Sequence, residues 1–124
     1  MSAVLVALGS ALGGLARHGC VLLGGALFGT AFPWGTLAVN VVGSAAVGLF
    51  TGVALGMEMP AGARHFFVIG FCGGFTTFSA FSIQVLEMAL AGAWARALSY
   101  VVASLALCFA AVALGWFIAS GWRA

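Results

Sequence analysis

Four long and almost uncharged runs, Ala3–Phe28, Trp34–Gly56, Phe66–Ala89 and Ala97–Ile118, take up most of this chain. Each is long enough for the roughly 20 apolar residues that an α-helix needs to cross the hydrocarbon of a bilayer. Only short punctuated links lie between them, at 29–33, 57–64 and 91–96, which leaves no room for a soluble domain. With 65% hydrophobic and 5% charged side chains, the chain cannot cover a water-facing surface, which ordinarily needs about a quarter charged residues. The expected fold class is an all-α integral membrane protein: one transmembrane domain over residues 1–124, with four helices at about 3–28, 34–56, 66–89 and 97–118. Trp34, Trp94, Trp116 and Trp122 fall at or near span ends, where amphipathic rings prefer the headgroup level.

The stretch MSAVLVALGSALGG has no positive n-region, and its apolar run is long for a secretory signal, so it reads as a retained first span. Cys20, Cys72 and Cys108 lie within spans and are odd in number, which argues against a disulfide framework or a metal cluster. No nucleic-acid partner is expected.

Orientation follows Lys/Arg asymmetry, and here the asymmetry is close to nothing. With four spans, Arg64 and Arg123 share one side and Arg96 lies opposite, while Arg17 falls inside the first span. Insertion in both orientations is compatible with this pattern, as is a single orientation set by other features. No second-half copy of the polar motifs makes an inverted repeat within the chain, so any two-fold symmetry must come from a second copy.

Stepping by four along the second span gives Thr36, Asn40, Ser44, Gly48, Gly52 and Gly56. The glycines suit close helix contact. The Asn40 amide is costly in hydrocarbon unless a neighbouring helix, water or an ion satisfies it, so it serves either as interhelical glue or on a solute pathway. The fourth span repeats the step with Tyr100, Ser104 and Cys108, a weaker seam, since serine in a membrane helix commonly bonds its own backbone. Arg17 is either an anchor for the first helix or an attractor of anions in an aqueous vestibule.

The third span contains GFCGGFTTFSAFS, residues 70–82. Three glycines within five residues followed by two threonines weaken a helix, and the span is expected to break there. Such a break survives in a membrane only when buried in protein or lining a wet cavity. Freed carbonyls suit a cation, and hydroxyls and amide hydrogens suit an anion. Phe78 and Phe81 share a face and offer positive ring edges. The plainer alternative is that the rings pack and the glycines permit close contact.

GTLAVNVVGS at 35–44 together with GFCGGFTTFSAFS at 70–82, with Arg17 upstream, resembles the CrcB/Fluc family of fluoride channels over essentially the whole chain. The resemblance implies an antiparallel dual-topology homodimer in a prokaryotic inner (plasma) membrane that exports fluoride passively and protects against its toxicity. It also implies two fluoride pathways and a central structural sodium ion. By matching position, Asn40 resembles the pore asparagine, and Phe78 and Phe81 resemble the fluoride-contacting pair. Gly73 and Thr76 match the positions whose backbone carbonyls hold sodium. Thr77, Ser79 and Ser82 belong to the same motif. Tyr100 and Ser104 match a polar track on the fourth helix, with Cys108 where a further hydroxyl is common, and Ser44 adds a donor to the pathway. Arg17 matches the first-helix arginine. The chain departs from the family pattern at His18, Ala80 and Ala45, where an aromatic, a threonine and a bulky residue are usual. The implied partners are fluoride, a second copy and membrane lipid.

The rival reading is a proton-coupled transporter of the small multidrug resistance kind. It requires a carboxylate facing the binding chamber, and only Glu58, in a link, and Glu87, near the end of the third span, are available. A purely structural subunit leaves the clustering of polar groups unexplained. An enzyme is not expected, because His18 and His65 have no evident catalytic constellation.

Overall fold

The computed structural model describes residues 1–121, and all of its regular structure is helical. Trp122 and Arg123, which entered the reasoning on span ends and orientation, lie outside the described residues. Helix α1 covers Ser2–Phe28 and α2 covers Trp34–Ala54. The third membrane element is composite: a short α3 at Ala61–Ala63, a π-helical segment π1 at Arg64–Cys72, a short α4 at Gly73–Phe75, and α5 at Ser79–Leu90. Helix α6 runs Trp94–Gly121. Four stretches, Ser2–Phe28, Trp34–Ala54, Ala61–Leu90 and Trp94–Gly121, are long and apolar enough to cross a membrane.

The boundaries depart from the hydropathy runs where charged residues sit inside a helix. The third element starts at Ala61 rather than near 66, because Arg64 and His65 form part of its first turns. The ring nitrogen Nδ1 of His65 lies 2.6 Å from the Ala61 carbonyl and closes that turn. Helix α6 starts at Trp94 rather than 97 and includes Arg96, whose Nη1 donates to the Ala31 carbonyl of the first link at 3.3 Å. Gly29 ends α1 in the left-handed region at φ 77°, and Gly92 turns the chain into α6 at φ 79°. Glycine adopts that conformation at little steric cost.

Helices in hydrocarbon gain nothing from burying apolar area against one another, so close approach rests on small residues. Glycine-lined contacts organise the fold, one of them between α1 and α2, where Gly24 lies against Gly35. Between α1 and the third element, Gly9 lies against the Phe66 carbonyl and Gly70, Gly13 against the Phe71 carbonyl, and Gly74 against Ser10. Ser10 Oγ also donates to the Gly70 carbonyl at 3.3 Å. Between α2 and α6, Gly48 lies against Val112, Gly52 against Trp116 and Ala119, and Gly115 against Ala45 and Leu49. The second-span glycines at 48 and 52 therefore have the packing role that their spacing suggested. A small core of Leu37, Phe81 and Tyr100 joins α2, α5 and α6.

A Cβ placed on Gly48 overlaps the Val112 carbonyl oxygen, which is backbone and cannot move aside as a side chain would. Gly48→Val is expected to cost about 2–3 kcal/mol or more. Thermal unfolding of purified protein in detergent should show a markedly lowered midpoint, whereas Gly19→Ala, where the added methyl meets nothing within 4 Å and alanine favours the helix, should not lower it.

Candidate functional site

The backbone between α4 and α5 is the centre of the site. Thr76 is extended at φ −83° and ψ 158°, and Thr76, Thr77 and Phe78 belong to no helix. In an uninterrupted α-helix the Thr77 N–H would bond the Gly73 carbonyl, and the Ala80 N–H would bond the Thr76 carbonyl. Here both donors go to side chains. The Thr77 N–H donates to Asn40 Oδ1 at 2.8 Å, and the Ala80 N–H donates to Thr77 Oγ1 at 3.2 Å. The carbonyls of Gly73 and Thr76 are thereby deprived of their regular helical donors.

Asn40 completes the pairing by donating from Nδ2 to the Thr77 carbonyl at 2.9 Å, so its carboxamide mimics a peptide group facing the Thr77 backbone. An asparagine amide carries two hydrogens, and one remains after this bond. Thr76 Oγ1 donates to the Cys72 carbonyl at 2.9 Å, and Ser82 Oγ donates to the Phe78 carbonyl at 2.8 Å. These two hydroxyls bond one acceptor before the non-helical segment and one at its last residue.

Two cavities flank the segment, and Thr77 lines both. The first, of about 630 Å³, brings together Asn40 and Ser44 of α2, Gly73, Thr76, Thr77, Phe78 and Phe81 of the third element, and Ser104 and Cys108 of α6. Ser104 Oγ is fully buried and has no hydrogen-bond partner. Phe81 is 8% exposed and Phe78 74% exposed, with ring centroids 5.5 Å apart and planes at 51°. The second cavity, of about 530 Å³, is lined by Gly14, Arg17 and His18 of α1, Thr36 of α2, and Ser79 and Gln84 of α5. The Arg17 guanidinium makes no hydrogen bond or ion pair with any described residue.

The expected site residues thus divide. Asn40, Ser44, Gly73, Thr76, Thr77, Phe78, Phe81 and Ser104 surround the first cavity, and Arg17 and Ser79 line the second with Thr77. Ser82 is exposed and lines neither. Tyr100 is completely buried behind Phe81, ring centroids 5.0 Å apart in an edge-on arrangement, and reaches neither cavity directly. Among the described residues no group of three or more His, Cys, Asp or Glu is arranged to hold a metal ion. Glu58 is exposed in its link, and Glu87 lines a separate loop-end cavity with Arg96.

Gln84 is the polar residue that reasoning from sequence passed over. Its Nε2 donates to Thr36 Oγ1 at 2.9 Å, and its Oε1 accepts from the Tyr100 hydroxyl at 2.8 Å. One side chain of α5 thereby ties α2 to α6 beside the second cavity. The signal was available, since a carboxamide amid Phe81, Ile83 and Val85 carries the same desolvation cost that drew attention to Asn40.

The fold and these cavities define a small four-helix membrane protein in which neutral hydrogen-bonding groups gather around a non-helical segment of the third element, with no carboxylate among them. Residues 4–116 match the family described as CrcB-like protein, Camphor Resistance (CrcB), and the chain belongs to that family. It is 50% identical over 114 residues to the fluoride-specific ion channel FluC of Paramagnetospirillum magneticum, covering 90% of this chain and 89% of that protein. Proteins of the same name from Opitutus terrae and Methylobacterium radiotolerans are 47% and 43% identical, covering 94% and 97% of this chain and 90% and 85% of their own lengths. These relatives are channels from bacteria, and the family is not one of enzymes.

Replacing Gln84 by leucine strands the Thr36 and Tyr100 hydroxyls in buried surroundings. Gln84→Leu is expected to destabilise by about 2 kcal/mol. In a double-mutant cycle with Tyr100→Phe, measured by thermal unfolding, the two losses should be clearly non-additive.

Proposed function

We propose that this protein is a passive fluoride-selective channel that exports the ion from the prokaryotic cytoplasm across the inner (plasma) membrane and so protects the cell from fluoride. The observation that carries this reading is the lining of the first cavity. Asn40, Ser44 and Ser104 line one space with no carboxylate, and the Ser104 hydroxyl has no hydrogen-bond partner, in a chain whose relatives are named fluoride-specific channels.

Fluoride is compact and strongly hydrated, so a pathway must replace its water with closely placed donors. Asn40, Ser44, Thr77 and Ser104 supply neutral donors, and the edges of Phe78 and Phe81 carry partial positive charge while excluding bulk water. Ser79 and Arg17 belong to the approach through the second cavity. Tyr100 holds Phe81 from behind, and Ser82 steadies the start of α5. Neutral donors let the anion leave again, whereas a fixed positive charge at the narrowest point would hold it.

The working unit in this reading is an antiparallel homodimer with dual topology, in keeping with the near balance of Arg64 and Arg96 and with an exposed Phe78 and Gly73 at the open side of the first cavity. A sodium ion at the centre of that dimer is supported by the Gly73 and Thr76 carbonyls. These are hard oxygen donors whose usual helical N–H partners are given to Asn40 and Thr77. When bound, sodium supplies a positive charge that joins the third elements of two copies. A proton-coupled multidrug transporter is not favoured, since neither Glu58 nor Glu87 lines either cavity beside the non-helical segment.

Fluoride release from liposomes, read with a fluoride-selective electrode after a potassium ionophore is added, tests the reading. Rapid fluoride efflux without chloride efflux is expected, and folded protein that moves neither ion would refute it. Asn40→Asp should abolish the flux, because the carboxylate repels both the anion and the Thr77 carbonyl; undiminished flux would remove Asn40 from the pathway. Exchange of sodium for N-methylglucamine should lower the unfolding temperature and shift the molar mass in light scattering from dimer to monomer.

A further inference from the structure

The second cavity contains a residue that the pathway described above does not use. Along α1, Gly14, Arg17, His18 and Val21 follow the three-four spacing of one helix face, and all four line this cavity. The glycines that seat α1 against its neighbours, Gly9 and Gly13 against the third element and Gly24 against Gly35 of α2, lie elsewhere on the helix, and the imidazole of His18 is exposed. Arg17 beside it has no partner among the described residues. A permanently charged guanidinium far from either end of a 27-residue helix is tolerated only where water or a counter-ion reaches it, so the cavity is wet and attracts anions.

The other groups facing this space are neutral. Thr36 comes from α2, and Thr77, Ser79 and Gln84 from the third element. The Gln84 carboxamide is uncharged and is held between Thr36 and Tyr100. On the elements packed around α1, the remaining titratable groups line other regions. Arg64 and His65 lie at the start of the third element and Cys72 is buried within it, while Glu87 and Arg96 line the loop-end cavity. On α6, Tyr100 is buried in its contact with Gln84 and Cys108 lines the first cavity, and Cys20 on α1 does not line the second. Arg17 and His18 are therefore the two groups that set the charge of this space.

We infer that His18 is a proton-controlled recruiter of anions: when it is protonated, the cavity carries two adjacent positive charges instead of one and concentrates fluoride ahead of the Asn40 segment. Histidine is the side chain whose charge ordinarily changes across about pH 5 to 8. One added charge at this range in a wet cavity corresponds to a change of about threefold in anion occupancy. The sign follows directly: recruitment is greatest at acidic pH and falls as the imidazole loses its proton. This inference rests on the fluoride-channel reading for its consequence in flux.

The test is the initial rate of fluoride efflux from liposomes at about pH 6 and about pH 8, after subtraction of protein-free vesicles, which removes leakage of neutral hydrogen fluoride. For the unaltered chain the rate should be about threefold higher at the lower pH. His18→Gln should be flat at the higher-pH rate, and His65→Gln, which alters the chain's other histidine, should keep the full dependence. A pH dependence retained in His18→Gln, or lost in His65→Gln, overturns the inference while leaving the channel reading intact. If folded protein releases no fluoride at any pH, the channel reading is what fails. The recruiter is then decided by NMR of ring-labelled histidine at the lower pH. Added sodium fluoride that shifts the His18 resonances and leaves those of His65 in place supports it, and unmoved His18 resonances refute it.

Discussion

Inside a bilayer, a backbone N–H that leaves its helix finds no water to bond, and the rest of this site depends on how that need is met at Thr77. The Asn40 carboxamide takes the N–H and returns a donor to the carbonyl of the same residue. An unsatisfied pair of backbone groups costs several kcal/mol in hydrocarbon, so the extended conformation at Thr76 is tenable only while Asn40 is in place. Of the two roles that spacing left open for Asn40, these bonds establish the interhelical one. The same amide holds two elements together and lines the first cavity.

The four apolar runs were legible because length and hydropathy report directly on the span of a bilayer. Their ends were less so, since Arg64, His65 and Arg96 continue helices that a charge-averse reading cuts short. Helix pairing was not legible. The glycines at 9, 13 and 74 advertise close contact but carry no address, and only the structure shows that α1 meets the third element while α2 meets α6. The glycines of residues 70–82 divide in a way that no spacing reveals: Gly70 and Gly74 seat the first helix, whereas a methyl added at Gly73 would touch nothing within 4 Å.

The site was legible where polar residues fell into a stripe and obscure where one stood alone. Asn40 and Ser44 announced themselves by their four-residue step. Gln84 did not, although its partners, Thr36 and Tyr100, each stood at the head of a recognised seam. Pairings that join residues 37 or 48 positions apart, as at Asn40 with Thr77 and Thr36 with Gln84, depend on tertiary placement that local patterns do not encode.

Phe32, in the link between the first two helices, meets Tyr100 edge-on at 5.3 Å; Tyr100 meets Phe81 at 5.0 Å; and Phe81 meets Phe78 at 5.5 Å. Tyr100 is wholly enclosed and hydrogen-bonded to Gln84. The four rings thus form one unbroken file of contacts that runs from the first link through α6 to the third element, crossing the fold without following any one helix.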